Sequence, residues 1–220
     1  MNACAGAART RWNAPAGAGV QSHVDFAVAV ENAGTPGQDR AAVFPFGDGH
    51  LIVLADGAGG SAGGAQAADA VIELTRSLEP EARHDWQQVL RQVDARLAAD
   101  PLLGETTAVL AFVSDRWIAG ASVGDSEAWS LLGGRAFELT GRQRRKPLLG
   151  SGHAFPVGFG PAPAGERLLV ASDGLFKYAP WDVVQRLALL APKEAVRELV
   201  NAARLANSRL QDDVAVVIGA

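Results

Sequence analysis

The sequence predicts an α+β sandwich, in which antiparallel strands lie between grouped helices. Three observations point there. Strand-like apolar runs cluster along the chain, helical stripes come in pairs between those clusters, and regular strand–helix alternation is missing, which argues against a Rossmann or barrel fold. The chain has 220 residues, enough for one domain with a full core. Hydrophobic residues make up 48% and charged residues 20%, a balance that excludes a disordered chain.

Residues 1–22 read as a flexible tail and 23–220 as the folded domain. Val24–Val30 alternates as a strand does. Ala41–Phe46 and Leu51–Ala55 read as two more strands, joined through Gly47-Asp48-Gly49, a tight hairpin signal. A glycine-rich stretch over 56–64 leads into a helix with the stripe Ala68, Val71, Ile72, Thr75 and Leu78. Asp85, with Gln88 three residues on, reads as the cap of a second helix whose stripe is Trp86, Val89, Leu90, Val93 and Leu97. Strands follow at 106–113, 117–123, 128–132 and 136–139, with Ser114-Asp115-Arg116 and Gly133-Gly134-Arg135 as turns. Residues 141–165 read as irregular. Leu168–Ala171 is a short buried strand, two helices are expected near 181–190 and 193–206, and Val214–Ile218 closes the chain as a strand.

The net charge of −4 advertises no nucleic acid partner. Cys4 is the single cysteine, so neither an internal disulfide nor a Cys-rich zinc site is expected. No run is long enough to cross a membrane, and Met1–Val20 lacks the apolar core of a signal peptide. The expected setting is therefore the cytoplasm, with no membrane or nucleic acid partner. The five tryptophans, Trp12 in the tail excepted, read as packing residues, and the four histidines, His23, His50, His84 and His153, show no ligand spacing.

Chemistry is carried by aspartates at strand ends. Asp56 follows the strand 51–55, Asp125 the strand ending near Val123, and Asp173 the strand 168–171; Asp212 and Asp213 precede the last strand and Asp39 the second. Each alone fits a turn or a cap. Converging at one rim they would repel one another, and divalent cations remove that repulsion. Oxygen donors without a His or Cys cluster favour hard ions such as Mg²⁺ or Mn²⁺. Gly57, lacking a side chain, would let its carbonyl approach such an ion.

In order, Gln38-Asp39, Leu54-Ala55-Asp56-Gly57-Ala58-Gly59-Gly60, Thr106-Thr107, Val123-Gly124-Asp125-Ser126, Leu139-Thr140, Ala171-Ser172-Asp173-Gly174-Leu175-Phe176 and Asp212-Asp213-Val214 resemble the metal-dependent serine/threonine phosphatases of type 2C, the PPM family. The resemblance implies a four-layer α-β-β-α sandwich with two central antiparallel sheets. It implies two or three Mn²⁺ or Mg²⁺ ions, with Asp56 bridging two of them, the Gly57 carbonyl on one, and Asp173 and Asp213 on the other. It places Asp39 on metal-bound water or near the second ion, and Asp125 on a third, weaker ion. Asp39 and Asp56 would act through a metal-bound water that attacks phosphorus in line. The implied reaction is hydrolysis of phosphoserine or phosphothreonine in a protein, with a serine/threonine kinase or its target as partner, by a monomer acting in signalling.

The chain departs from that pattern in three places. Ala58 stands where animal members carry His, Gly34 where many carry a phosphate-binding Arg, and the segment between Asp125 and Asp173 is short, as if a flap were trimmed. That segment holds Arg142-Gln143-Arg144-Arg145-Lys146. Arg142, Arg144 and Arg145 read either as solvated loop charges or as a substrate-binding patch. A non-catalytic phosphoprotein-binding module of the same fold is the alternative function. Nucleotide binding at 57–64 is disfavoured, because no Gly-Lys-Ser/Thr ending follows.

Overall fold

The computed structural model describes residues 24–58, 63–79 and 85–220. The tail with Cys4 and Trp12, His23, His84 and the glycine-rich residues 59–62 lie outside the described residues.

Why two sheets form is visible in the strand sequences. Strands β1 (Phe26–Glu31), β2 (Asp39–Phe46), β3 (Gly49–Asp56), β4 (Ala108–Val113), β5 (Trp117–Val123), β6 (Glu127–Leu132), β7 (Arg135–Glu138), β8 (Val157–Pro163), β9 (Arg167–Ala171) and β10 (Val214–Gly219) make two five-stranded sheets. One runs β1-β10-β9-β6-β7, the other β2-β3-β4-β5-β8, with every pairing antiparallel. β3, β4, β9 and β10 are continuous apolar runs because both of their faces are covered. In β3, Leu51, Val53 and Ala55 face one core while Ile52 and Leu54 face another. In β10, Val214, Val216 and Ile218 face the outer side, and Ala215 and Val217 the inner.

Three cores therefore separate four layers. Helices α1 (Gly64–Arg76) and α2 (Trp86–Ala98) pack their predicted stripes on one sheet. Helices α3 (Asp173–Tyr178), α4 (Trp181–Leu187) and α5 (Pro192–Ala202) cover the other. A third core of Ile52, Leu54, Val109, Ala111, Val170 and Val217 lies between the sheets. The Asp85 side chain caps α2 by accepting from the backbone N–H of Gln88 at 3.0 Å. Trp86 is buried in the first core, and Trp129 and Trp181 pack on each other with ring centroids 4.2 Å apart.

The structure corrects several boundaries. Residues 141–165 are not irregular throughout, for they contain β8, which pairs with β5 as an edge strand. Its glycines and prolines hide it in the sequence, and an edge tolerates them because one side needs no ladder bonds. A bulge between Ile118 and Gly120 adjusts its register. α3 is unpredicted, since six residues are too few to show a helical period. α4 stops at Leu187 and α5 at Ala202, short of the expected ends. β4 begins at Ala108, with Thr106 instead making isolated bridges to Gly57 and Leu149.

Candidate metal centre

The topology gathers the aspartates. In an antiparallel sheet the start of one strand lies beside the end of its neighbour. Asp39 opposes Asp56 directly, Ala108 opposes Val123, Glu127 opposes Ala171, and Ala171 opposes Val216. Following these pairs around the sandwich puts Asp39, Asp56, Asp125, Asp173, Asp212 and Asp213 at one rim.

Neighbouring polar groups fix the Asp56 backbone. Its N–H donates to Thr107 Oγ1 (3.1 Å), and its carbonyl accepts from Thr107 N–H (2.8 Å) and Thr106 Oγ1 (2.9 Å). Thr107 in turn shares a hydrogen bond with the buried Ser126 hydroxyl (2.8 Å). The two threonines and the serine of the matching motifs thus hold the end of β3. A side chain on Gly57 would meet the Gly64 carbonyl oxygen at 2.4 Å, so glycine here also lets α1 start against β3. A side chain on Gly174 would meet the Asp213 carbonyl oxygen at 2.0 Å, so glycine lets the starts of α3 and β10 touch. Asp213 is set by the β1–β2 loop: Oδ1 accepts from Ala33 N–H (2.7 Å) and Oδ2 from Gln38 N–H (2.6 Å).

The electrostatics split the cluster in two. Asp39 is 1% exposed, and its Oδ2 is buried without a hydrogen-bond partner. Burial, and then repulsion from Asp213, pushes its carboxyl well above the usual range, against a lowering hydrogen bond from Ser172. Burial and the charge of Asp39 push Asp56 up as well. The outer acids have cations of their own. Arg145 reaches Asp125 Oδ2 through Nη2 (2.7 Å) and Nε (3.0 Å). Lys177 Nζ sits 2.6 Å from Asp173 Oδ2 and 3.2 Å from Asp212 Oδ2. Asp173 is raised chiefly by burial, with the Lys177 hydrogen bond opposing.

Among the described residues, no three His, Cys, Asp or Glu side chains converge on one point as a metal would require. The donor set nonetheless fits a hard divalent ion. The donors on offer are carboxylate oxygens, and the Asp39 oxygen is buried, unpartnered and unfavourable to ionise without a cation beside it.

A cleft of about 340 Å³ opens beside the rim, lined by Asp125, Glu127, Gln143, Arg145, Asp173 and Lys177 among others. Gln143 ties the basic run to this cleft: its side-chain amide donates to the Ser126 carbonyl at 2.8 Å. Arg142, Arg144, Arg145 and Lys146 are exposed, with Arg144 over the exposed Phe155 ring at 5.7 Å. His153 is exposed and does not line this cleft. Gly34 is exposed, and Arg40 points away to Asp69 (2.5 Å).

Sequence reasoning missed Lys177, Gln143 and Asp94. The buried Asp94 carboxylate accepts from the backbone N–H of Gly150 (2.8 Å), Gly152 (3.0 Å) and Ala154 (3.0 Å), clamping the loop that follows the basic run. Lys177 had a signal, since it stands four residues after Asp173 on one helical face.

No curated protein matches the chain in sequence. Several solved structures match its fold. A bacterial serine phosphatase superposes with TM-score 0.78 at 20% identity, covering 90% of this chain and 97% of that one. The serine/threonine phosphatase Stp1 from Staphylococcus aureus gives 0.77 at 18%, covering 94% and 99%. The catalytic domain of the serine threonine protein phosphatase PstP, in complex with two manganese ions, gives 0.73 at 22%, covering 89% and 97%. At these identities the likeness shows the fold, the four-layer sandwich of the PPM phosphatases. The family described as Stage II sporulation protein E (SpoIIE) matches residues 47–219, most of the chain and all of the rim from Asp56 to Asp213, and the chain belongs to that family of PP2C-like domains.

Proposed function

We propose that the protein is a metal-dependent phosphatase of phosphoserine and phosphothreonine in proteins. One observation carries the reading: Asp39 and Asp56 face each other across β2 and β3, both raised by burial, with Asp39 Oδ2 lacking a partner. A pure binding module has no use for so unfavourable a pair, whereas a divalent ion neutralises it. Asp39 and Asp56 would hold the ions, with Asp173, Asp213 and the Gly57 carbonyl completing the set and Asp125 on the flank. Two such ions, Mn²⁺ or Mg²⁺, supply an activated water for attack on phosphorus and screen the phosphate charge.

The chain's own residues do the rest. Thr106, Thr107 and Ser126 keep Asp56 in place, and Ala33 and Gln38 orient Asp213. Ala58 offers no side-chain acid, so the leaving alkoxide takes its proton from water. Arg142, Arg144 and Arg145 would meet the acidic face of the substrate. We place the activity in the cytoplasm, acting as a monomer on a phosphoprotein in a signalling pathway that includes a serine/threonine kinase.

The test is hydrolysis of a phosphothreonine peptide with Mn²⁺, with EDTA, and by Asp56→Asn. Activity should require the metal and fall at least ~10²-fold in the variant, because metal-assisted attack supplies most of the acceleration. Full turnover in EDTA, or by Asp56→Asn, would refute the reading. The non-catalytic alternative draws on the missing Arg at Gly34. It predicts phosphopeptide binding without turnover.

A further inference from the structure

The rim carries two cations of its own, and both lie on acids that the metal reading assigns as ligands. Lys177 Nζ bridges Asp173 (2.6 Å) and Asp212 (3.2 Å), and Arg145 holds Asp125 through two nitrogens on one oxygen. The inner pair, Asp39 and Asp56, has no such partner among the described residues. We propose that Lys177 and Arg145 are built-in competitors of the divalent ion, Lys177 at Asp173 and Arg145 at Asp125. The inference rests on the metal-centre reading and adds to it a control on how many ions the rim takes and how tightly.

The physical argument is one of exclusion. An ammonium 2.6 Å from a carboxylate oxygen occupies the space in which an ion would sit, and its charge repels the ion directly. The competition is built into helix α3. Lys177 lies one turn beyond Asp173, so its stem runs back along the helix and its ammonium returns to the carboxylate without a loop having to close. Asp212, immediately before Asp213, offers the ammonium a second anchor. When an ion takes Asp173, Lys177 can swing fully to Asp212, which keeps the displacement mild. Arg145 differs in that its side chain is mostly exposed, on a loop tethered by Gln143, so its hold on Asp125 is weaker and more easily screened. The unpartnered inner pair therefore fills first, and Asp173 and Asp125 take an ion only against Lys177 and Arg145 respectively.

The experiment measures Mn²⁺ binding to the full chain by isothermal titration calorimetry, with no substrate present. The variants are Lys177→Met, Lys177→Arg, Arg145→Gln and, as a control for net charge, Arg144→Gln, whose guanidinium lies over Phe155 and not on these acids. Lys177→Met should tighten the later binding step by about five-fold, the scale of a partly exposed ion pair, and Lys177→Arg should not. Arg145→Gln should add a weak binding event that the further change Asp125→Asn removes. Arg144→Gln should bind as the wild type does. Should Lys177→Met fail to fold, Arg145→Gln carries the same comparison at Asp125. Isotherms of Lys177→Met and Arg145→Gln equal to the wild type, or an equal gain in Arg144→Gln, would overturn the competition while leaving the metal centre intact. An absence of Mn²⁺ binding in the wild type and every variant would overturn the metal centre and the competition together.

Discussion

Replacing Asp39 by Asn should stabilise the protein in EDTA, a gain that is the opposite of what most buried substitutions give. The folded chain raises Asp39 from 3.8 to about 7, first through burial. The unfolded chain thus loses this proton at lower pH than the folded chain does, and stability drains away as pH rises between those two values. At 1.36 kcal/mol per pH unit, ionised Asp39 costs about 4 kcal/mol once pH exceeds its folded value. Asp56, raised to about 9, is still protonated there, and in the variant it remains free to ionise in the same buried site, so the substitution recovers only part of that cost, ~2 kcal/mol. For a chain of this length, that moves the melting temperature by about 4–8 °C. The amide also keeps the shape of the carboxyl and can donate to Asp56. Melting would be followed by circular dichroism in EDTA; the variant should lead by this margin above about pH 8 and by little near about pH 4.5. Saturating Mn²⁺ should reverse the order, since an ion that binds only the folded wild type at a hundred times its Kd adds about 2.7 kcal/mol. A variant that melts at or below the wild type in EDTA at the higher pH would refute the account of an uncompensated inner pair.

Two further outcomes follow from other contacts. Asp94→Ala should cost about 3 kcal/mol, read as a lowered urea midpoint, because three backbone N–H groups lose a charged acceptor at a buried site. Neutralising Arg142 and Arg144 should raise KM for a phosphoprotein and leave turnover of a small aryl phosphate unchanged, since contacts made equally in ground and transition states alter binding alone; an unchanged KM would return them to plain loop charges.

Much of the fold was legible because burial writes itself into composition. A strand covered on both faces must be apolar throughout, and Leu51–Ala55, Leu168–Ala171 and Val214–Ile218 are. Asp56, Asp173 and Asp213 stood out because each lies at the end of such a run. β8 stayed hidden because an edge strand can carry Gly158, Gly160, Pro161 and Pro163. Asp94 stayed hidden for another reason. Its partners lie 56 to 60 residues away, and nothing local distinguishes an acid that caps three amides from one that faces water.

The same limit governs how phosphate would be anchored. Arg40 adjoins Asp39, and position alone would make it a candidate. In the structure its Nε and Nη2 bind Asp69, and its Nη1 binds the carbonyls of Gly37 and Asp39 at 3.0 and 2.8 Å. Those contacts commit its donors to holding the start of β2 against α1, so a phosphate could recruit it only by breaking them. Gly34 supplies nothing. Beside the cleft, Lys177 is held by Asp173 and Asp212 and Arg145 by Asp125, which leaves the other charges of the run at 142–146. On the proposed function, the phosphoprotein would therefore be met chiefly by Arg142 and Arg144, the latter over the exposed Phe155 ring. A loop clamped by Asp94 at one end and Gln143 at the other presents them, and this would place affinity on a surface that can change without disturbing the acids at the rim.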